Sequence, residues 1–235
     1  MIKKTLNKSI NQKNINFFSE NKDYQKNISE IDTYKILYEE ITNRLKGRKK
    51  LLDIGHGGCF DYDSRVVNEI IGLDLDKMIS AEKIPENVKL ALGSALNIPN
   101  NLKNFDTVIF VMLLHHLVGK DVKENLKNLN QCIAESRKTL LDDGKLIIVE
   151  SCVPYWFYLI EMALFKPTSY IINKFIKHPP AFQFTKNKIL EILKKNNFKD
   201  IKVKKIKQGK FILQYGFKFP TYLTPVETII FEANK

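Results

Sequence analysis

Arginine, cysteine and long apolar runs are scarce in this chain, and each scarcity removes a class of function. Arg44, Arg48, Arg65 and Arg137 are the only arginines, so the net charge of +12 is carried almost wholly by lysine. Arginine is the side chain that grips phosphate in a planar two-point fork. A lysine excess spread through asparagine-rich text such as KKNNFKDIKVKKIKQGK reads as solvated surface, so nucleic acid is not the expected partner. Cys59, Cys132 and Cys152 are an odd set without metal-ligand spacing. That pattern excludes a disulfide framework, gives no reason to expect a metal, and suits a reducing, cytoplasmic compartment. The opening MIKKTLNKSINQKN is basic, but no apolar segment follows, so no secretory signal is expected. The longest apolar run, VPYWFYLIEMALF, is broken by Glu161 and falls short of the roughly 20 residues a bilayer crossing needs.

What is present is the ordinary patterning of a globular protein, 235 residues with 44% hydrophobic side chains. Ile31, Tyr34, Leu37, Tyr38 and Ile41 recur at helix-face spacing. Helix is expected from Ile15 to Leu45, with residues 1–46 as an N-terminal helical cap. Apolar and amphipathic runs then alternate. KLLDIG reads as a strand ending in a glycine turn, and EIIGLDLD, VKLALGSALNIP, FDTVIFVMLL and KLIIVES read as strands two to five. VKENLKNLNQCIAESRKTLL and TKNKILEILKKNNF are amphipathic helices, the second with Thr185 as its cap. DIKVKKIK and VETIIFEA supply the last two strands, and CFDYDSRVVNE is expected to give a short, acid-rich first helix. Alternating strands and helices predict an α/β fold, a largely parallel sheet covered on both faces.

In such sheets the ligand lies at the carboxyl ends of the strands, close to where the strand order reverses. Glycines at the exit of the first strand let backbone approach a ligand. Gly55, Gly57 and Gly58 do not give the G-x-G-x-x-G frame of a dinucleotide site. Asp53, just before the turn, would repel a pyrophosphate but can pair with an ammonium group. Asp74, ending the second strand, is placed to accept hydrogen bonds from a ribose diol. A ligand with an amine, a carboxylate and a ribose is implied. S-adenosylmethionine answers that description better than NAD, and a dehydrogenase is disfavoured.

LLDIGHGG, IGLDLD, GSALNIP, FDTVIFVMLLHHL and LLDDGKLIIVE follow one another in the order and spacing of the class I S-adenosylmethionine-dependent methyltransferases. ILEILKKNNFKDIKV resembles that family's helix leading into strand six, so the resemblance covers roughly residues 47 to 207. It implies a Rossmann-like seven-stranded mixed sheet whose last strand is antiparallel, in a methyltransferase domain spanning 47–235 with an α insert, 153–184, after strand five. It also implies that Asp53, Gly55 and Gly57 hold the methionine end of the cofactor and Asp74 the ribose hydroxyls. Ser94, Ala95 and Leu96 would edge the adenine, and Val111 and Met112 would lie beneath the sulfonium. Two positions depart from the pattern. Cys59 stands at the third glycine, and Ser94 stands where many relatives carry an acid.

Methyl transfer to oxygen needs alignment and a base that removes the acceptor's proton. His115 and His116, just past strand four, and Glu150, ending strand five, are the catalytic candidates, although a histidine there can simply pack and Glu150 can simply satisfy a turn. Cys152 lacks the Pro-Cys context of a pyrimidine-attacking thiolate, and the exit of strand four lacks an Asn/Asp-Pro-Pro-aromatic motif. Trp156, Leu159, Ile160 and Ala163 share one face of a helix in the insert. Tyr155, Trp156 and His178 are its candidate substrate contacts, in an aromatic wall for an organic acceptor. The same face suits a helix resting on a membrane surface with Lys166, Lys174 and Lys177 snorkelling, the weaker alternative. The expected function is methyl transfer from S-adenosylmethionine to a small organic acceptor, lipophilic or glycan-type, at oxygen. A non-catalytic cofactor-binding partner and an RNA-directed methyltransferase are the alternatives, and the oligomeric state is left open.

Overall fold

A computed structural model describes residues 31–76, 84–171, 180–214 and 217–235. Strand β1 (Arg48–Ile54) ends in four consecutive buried residues, Leu51 to Ile54. A strand buried on both faces must lie inside a sheet, and β1 pairs parallel with both β2 (Val67–Asp74) and β4 (Phe105–Val111). β3 (Val88–Leu92) adds outside β2, and β5 (Leu140–Cys152) adds beside β4, both parallel. β9 (Glu227–Asn234) then pairs antiparallel with β5 and with the edge strand β6 (Lys199–Lys205). The order β3-β2-β1-β4-β5-β9-β6 is a seven-stranded mixed sheet whose last strand is antiparallel, as the sequence predicts. Between β6 and β9 the chain makes a separate hairpin of β7 (Phe211–Gln214) and β8 (Phe217–Pro220).

Among the described residues, four helices flank the sheet. α1 (Asp32–Leu45) turns Leu37, Ile41 and Leu45 onto Leu51, Ile70, Ile109 and Ile147, making one core. Each of these side chains is worth about 1.5–3 kcal/mol when fully buried. α2 (Val122–Thr139) and α4 (Lys186–Lys195) cover the other face, with Leu129, Ile133, Ile189 and Leu193 against Leu52, Val108, Leu146 and Ile148. α2 is capped by Asp121, which accepts from the Glu124 N–H, and α4 by Thr185, which accepts from the Lys188 N–H. α3 (Tyr155–Ile171) opens the insert after β5 and inserts Tyr158 and Phe165 into this second core. The part of the expected N-terminal helix before Ile31 lies outside the described residues.

The link from β1 to β2 differs from expectation. CFDYDSRVVNE forms a single 3-10 turn, Ser64–Val66, rather than a helix. Asp63 caps that turn through Arg65 N–H, and Val66–Val67 runs straight into β2, where β-branched residues favour extended backbone. Asp63 N–H also donates to Thr42 Oγ1 on α1. α1 thus supplies the cover on this face that a helix in the link would have given.

β1 and β4 are neighbours although two strands separate them in sequence, so the order reverses there. Asp53, Asp74, Val111 and Glu150 all stand at or near the carboxyl ends of their strands, on the edge where a ligand belongs.

Candidate functional site

The turn after β1 is held by backbone geometry. Gly55 has φ of +76°, donates its N–H to Leu73 O at 2.8 Å, and sits so close to Leu113 that an added Cβ would lie 2.5 Å from Cδ1. Only glycine meets both demands at low cost. His56, one residue on, is buried and folds back over β2, where Gly72 leaves room for its ring. Its Nδ1 accepts the Gly58 N–H at 3.0 Å, and burial pushes its imidazole below the usual range, so it is a neutral staple of the turn. Asp74 closes the loop from the next strand. Its Oδ2 accepts from Gly57 N–H at 2.9 Å and its Oδ1 from Leu75 N–H at 2.6 Å. Each carboxylate oxygen has a further lone pair, which leaves Asp74 able to receive a hydroxyl pair as well.

The adenine-side residues follow β3. Ser94 Oγ accepts from Leu96 N–H at 3.2 Å, so the serine organises this turn, and Ala95 is buried beneath it. Gln131 of α2 donates to Leu96 O and anchors the turn to the helix layer. Val111 is partly buried at the end of β4. Met112 takes φ of +50°, a left-handed conformation costly for a side chain of its size, and its N–H donates to Val149 O at 2.8 Å. Strain of this kind, of order 1–3 kcal/mol, collects where function fixes the backbone.

The electrostatics are one-sided. Asp53 is 2% exposed, and its carboxyl is pushed up to about 8, first by burial and then by the charges of Asp61 and Asp74. Tyr62 Oη donates to Asp53 Oδ2 at 2.8 Å and partly offsets this. Burial also pushes Asp61 up to about 6. Among the described residues, no lysine or arginine forms an ion pair with Asp53, Asp61 or Asp74. A pocket of acids lacking cationic side-chain partners, beside a glycine cradle, fits a ligand that carries an ammonium group and a ribose. S-adenosylmethionine is such a ligand: Asp53 would meet its ammonium and Asp74 its ribose. Asp74→Ala is therefore expected to weaken S-adenosylhomocysteine binding about tenfold or more in calorimetric titration, since a charge-assisted pair is lost. Unchanged affinity would remove Asp74 from the site.

On the other side of β4 lies a second constellation. Glu150 is fully buried, and its carboxylate is saturated. Oε2 accepts from Leu114 N–H at 2.8 Å and His115 N–H at 3.3 Å. Oε1 accepts from Ser151 N–H at 2.7 Å and from Ser151 Oγ at 3.1 Å, and lies 2.6 Å from His115 Nδ1. With an acceptor on that nitrogen, Nδ1 carries the proton and Nε2 is left as the basic atom. His115 is partly exposed, whereas His116 is buried with its ring 4.1 Å from that of His115. Phe182 N–H donates to His115 O, and Gln183 Nε2 to Ser151 Oγ, so the return of the insert is tied to this pair.

The remaining predicted residues are scattered. Tyr155 and Trp156 lie on the outward face of α3, 67% and 57% exposed, and not against the His115–Glu150 pair. His178 falls outside the described residues. Sequence reasoning missed Tyr62, Asp61 and Leu113. The signal for Tyr62 was available as a lone aromatic between two acids in DYD, but its donation to Asp53 depends on the missing helix.

Comparison with known proteins agrees with this geometry. Residues 52–148 match the family model described as a methyltransferase domain. A demethylmenaquinone methyltransferase of Lactobacillus johnsonii is 23% identical over 168 residues, covering 63% of this chain and 65% of that protein. The chain thus spans just under two thirds of this relative's length. The cyclopropane synthase MmaA2 of Mycobacterium tuberculosis superposes with a TM-score of 0.58 at 15% identity, covering 86% of this chain and 83% of that one. A Haemonchus contortus phospholethanolamine N-methyltransferase 2 superposes with a TM-score of 0.54 at 16% identity, covering 86% and 52%. The strand order, the glycine turn and the two acids define a cofactor-binding α/β domain. The match to the methyltransferase-domain model runs from β1 into β5, less than half of the chain, and the solved structures share its fold.

Proposed function

We propose that this protein transfers a methyl group to an oxygen of a small organic acceptor, with His115 as the base and Glu150 as its positioning residue. The supporting observation is the 2.6 Å contact from His115 Nδ1 to a carboxylate fixed by backbone N–H groups. Bound S-adenosylmethionine supplies a methyl already activated on sulfonium. The chain's own residues have three tasks. The acid-lined glycine turn holds the amino-acid end, Asp74 holds the ribose, and His115 Nε2 takes the proton that a hydroxyl must lose as it becomes a nucleophile. Positioning removes much of the remaining barrier, because an aligned displacement gains up to about 7–11 kcal/mol over a random encounter.

Fold alone does not choose the acceptor atom, since the similar structures carry names for chemistry at carbon and at nitrogen. A histidine oriented by a carboxylate favours oxygen, where deprotonation is needed at neutral pH. Incubating the protein and labelled cofactor with a cell extract is expected to yield one labelled, base-stable methyl ether of low mass. Mass spectrometry reads the product. A label on an amine or carbon would overturn the assignment to oxygen. Cofactor binding with no labelled product across broad acceptor panels would favour the non-catalytic reading.

A further inference from the structure

α3 has its polarity reversed. Its one carboxylate, Glu161, faces the protein and accepts from Gln183 N–H at 3.1 Å. Its outward arc carries Tyr155, Trp156, Leu159, Ile160, Met162 and Leu164, every one exposed. A soluble helix normally turns such residues inward, and a contiguous exposed apolar patch marks a contact surface. The β7–β8 hairpin and the short turn Thr221–Leu223 after it add Phe219, Tyr222 and Leu223, the last two 83% and 67% exposed.

Both patches belong to one edge. α3 leaves the sheet just after Cys152, and Cys152 pairs with Glu227, where the chain returns from the hairpin. The hairpin departs after Lys205, opposite Ile229 on the same edge. This is the edge that carries Asp53, Asp74 and Glu150. Its charge is also one-sided. Among the described residues of segments 153–184 and 206–226 stand Lys166, Lys207, Lys210 and Lys218, against Glu161 as the only acid.

We propose that this edge docks on the surface of an anionic lipid bilayer, with α3 lying in the interface and the lysines facing lipid phosphates. The chemistry is that of an interfacial element: tryptophan and tyrosine with aliphatic side chains between them, flanked by lysine stems that reach the headgroups. It rests on the surface and does not cross, because no helix among the described residues is long and apolar enough to span a membrane. Apolar contact holds the helix, and the lysine excess makes binding depend on lipid charge. An acceptor dissolved in the bilayer would then be presented to the edge that holds the cofactor.

Trp156 is the only tryptophan, so its emission reports this face without labelling. Vesicles of phosphatidylglycerol and phosphatidylcholine are expected to shift that emission to the blue and to sediment the full-length protein. Binding should be at least tenfold stronger than to phosphatidylcholine alone. The double variant Leu159→Glu, Ile160→Glu should lose at least tenfold in partitioning while its S-adenosylhomocysteine affinity and melting temperature stay unchanged. Lys207→Gln, Lys210→Gln, Lys218→Gln should lose the preference for anionic lipid and keep the weaker binding to neutral vesicles. No spectral shift and no sedimentation of the wild-type protein would overturn the proposal. So would a dimer on gel filtration that the glutamate pair dissociates, with Trp156 emission indifferent to vesicles, since a second copy would then be the occupant. Neither readout uses an acceptor, so this proposal can fail while the methyltransferase assignment stands.

Discussion

Asparagine at position 53 is expected to give a protein that is more stable than the wild type and poorer at binding its cofactor. Asp53 is buried at the end of β1, with its carboxyl pushed up to about 8 against an ordinary value of 3.8, chiefly by burial. A folded-state value above the unfolded one means that the folded protein holds a proton that the unfolded chain gives up. That contribution is complete below about pH 4 and is lost progressively until about pH 8, so wild-type stability falls as pH rises through this window. Asp61, pushed up to about 6, works in the same direction. Asp53→Asn keeps the shape and an acceptor for Tyr62 Oη but carries no charge. It should gain about 1–3 kcal/mol at pH 8, or roughly 3–10 °C in melting temperature, and close to nothing at pH 4. The same change removes the proposed partner of the cofactor's ammonium and should weaken S-adenosylhomocysteine binding about tenfold or more. Thermal melts across pH 4 to 9, with and without that ligand, read both effects. A variant less stable than wild type at pH 8 would mean that the carboxylate is ionised and satisfied in the free protein.

Removing the imidazole of His115 should have the larger effect on rate. Loss of a positioned general base costs about 10²–10⁴-fold in turnover. His115→Ala should therefore fall by about that factor in kcat with the KM for cofactor little changed, and added imidazole should restore part of the rate. Glu150→Gln tests positioning. An amide in that slot must turn its NH2 toward Leu114 N–H, Ser151 N–H or His115 Nδ1, each of which now donates to the carboxylate. The expected result is a loss of about 1–3 kcal/mol in stability and a fall in kcat that imidazole does not rescue. If both variants turn over at the wild-type rate, the pair is a structural clasp and alignment alone performs the reaction.

Much of this architecture is legible in the order of the residues. The largely apolar runs around Leu52 and Val108 read as interior strands, and the order in which they alternate with amphipathic helices limits the topology. The two aspartates are legible because each ends an apolar run beside a turn. Their surroundings are not. Tyr62 reaches Asp53 only because CFDYDSRVVNE stays a loop, and local propensity could not foretell that α1 would cover this face instead. The pairing of His115 with Glu150 spans 35 residues and exists because β4 and β5 are hydrogen-bonded neighbours.

For α3 the sequence identified an amphipathic aromatic helix but not which side would face the core. Periodicity marks a face and leaves its partner open. The packing of Tyr158 and Phe165 beneath the helix turned Trp156, Leu159 and Ile160 outward. Local pattern and the backbone limits on each residue are enough to set the sheet, the glycine turn and the identity of the charged groups. Folding in three dimensions settles which acids share one desolvated pocket, which histidine gains a carboxylate and which apolar face meets the solvent. Those outcomes depend on distances between segments remote in the chain, and no local rule contains them.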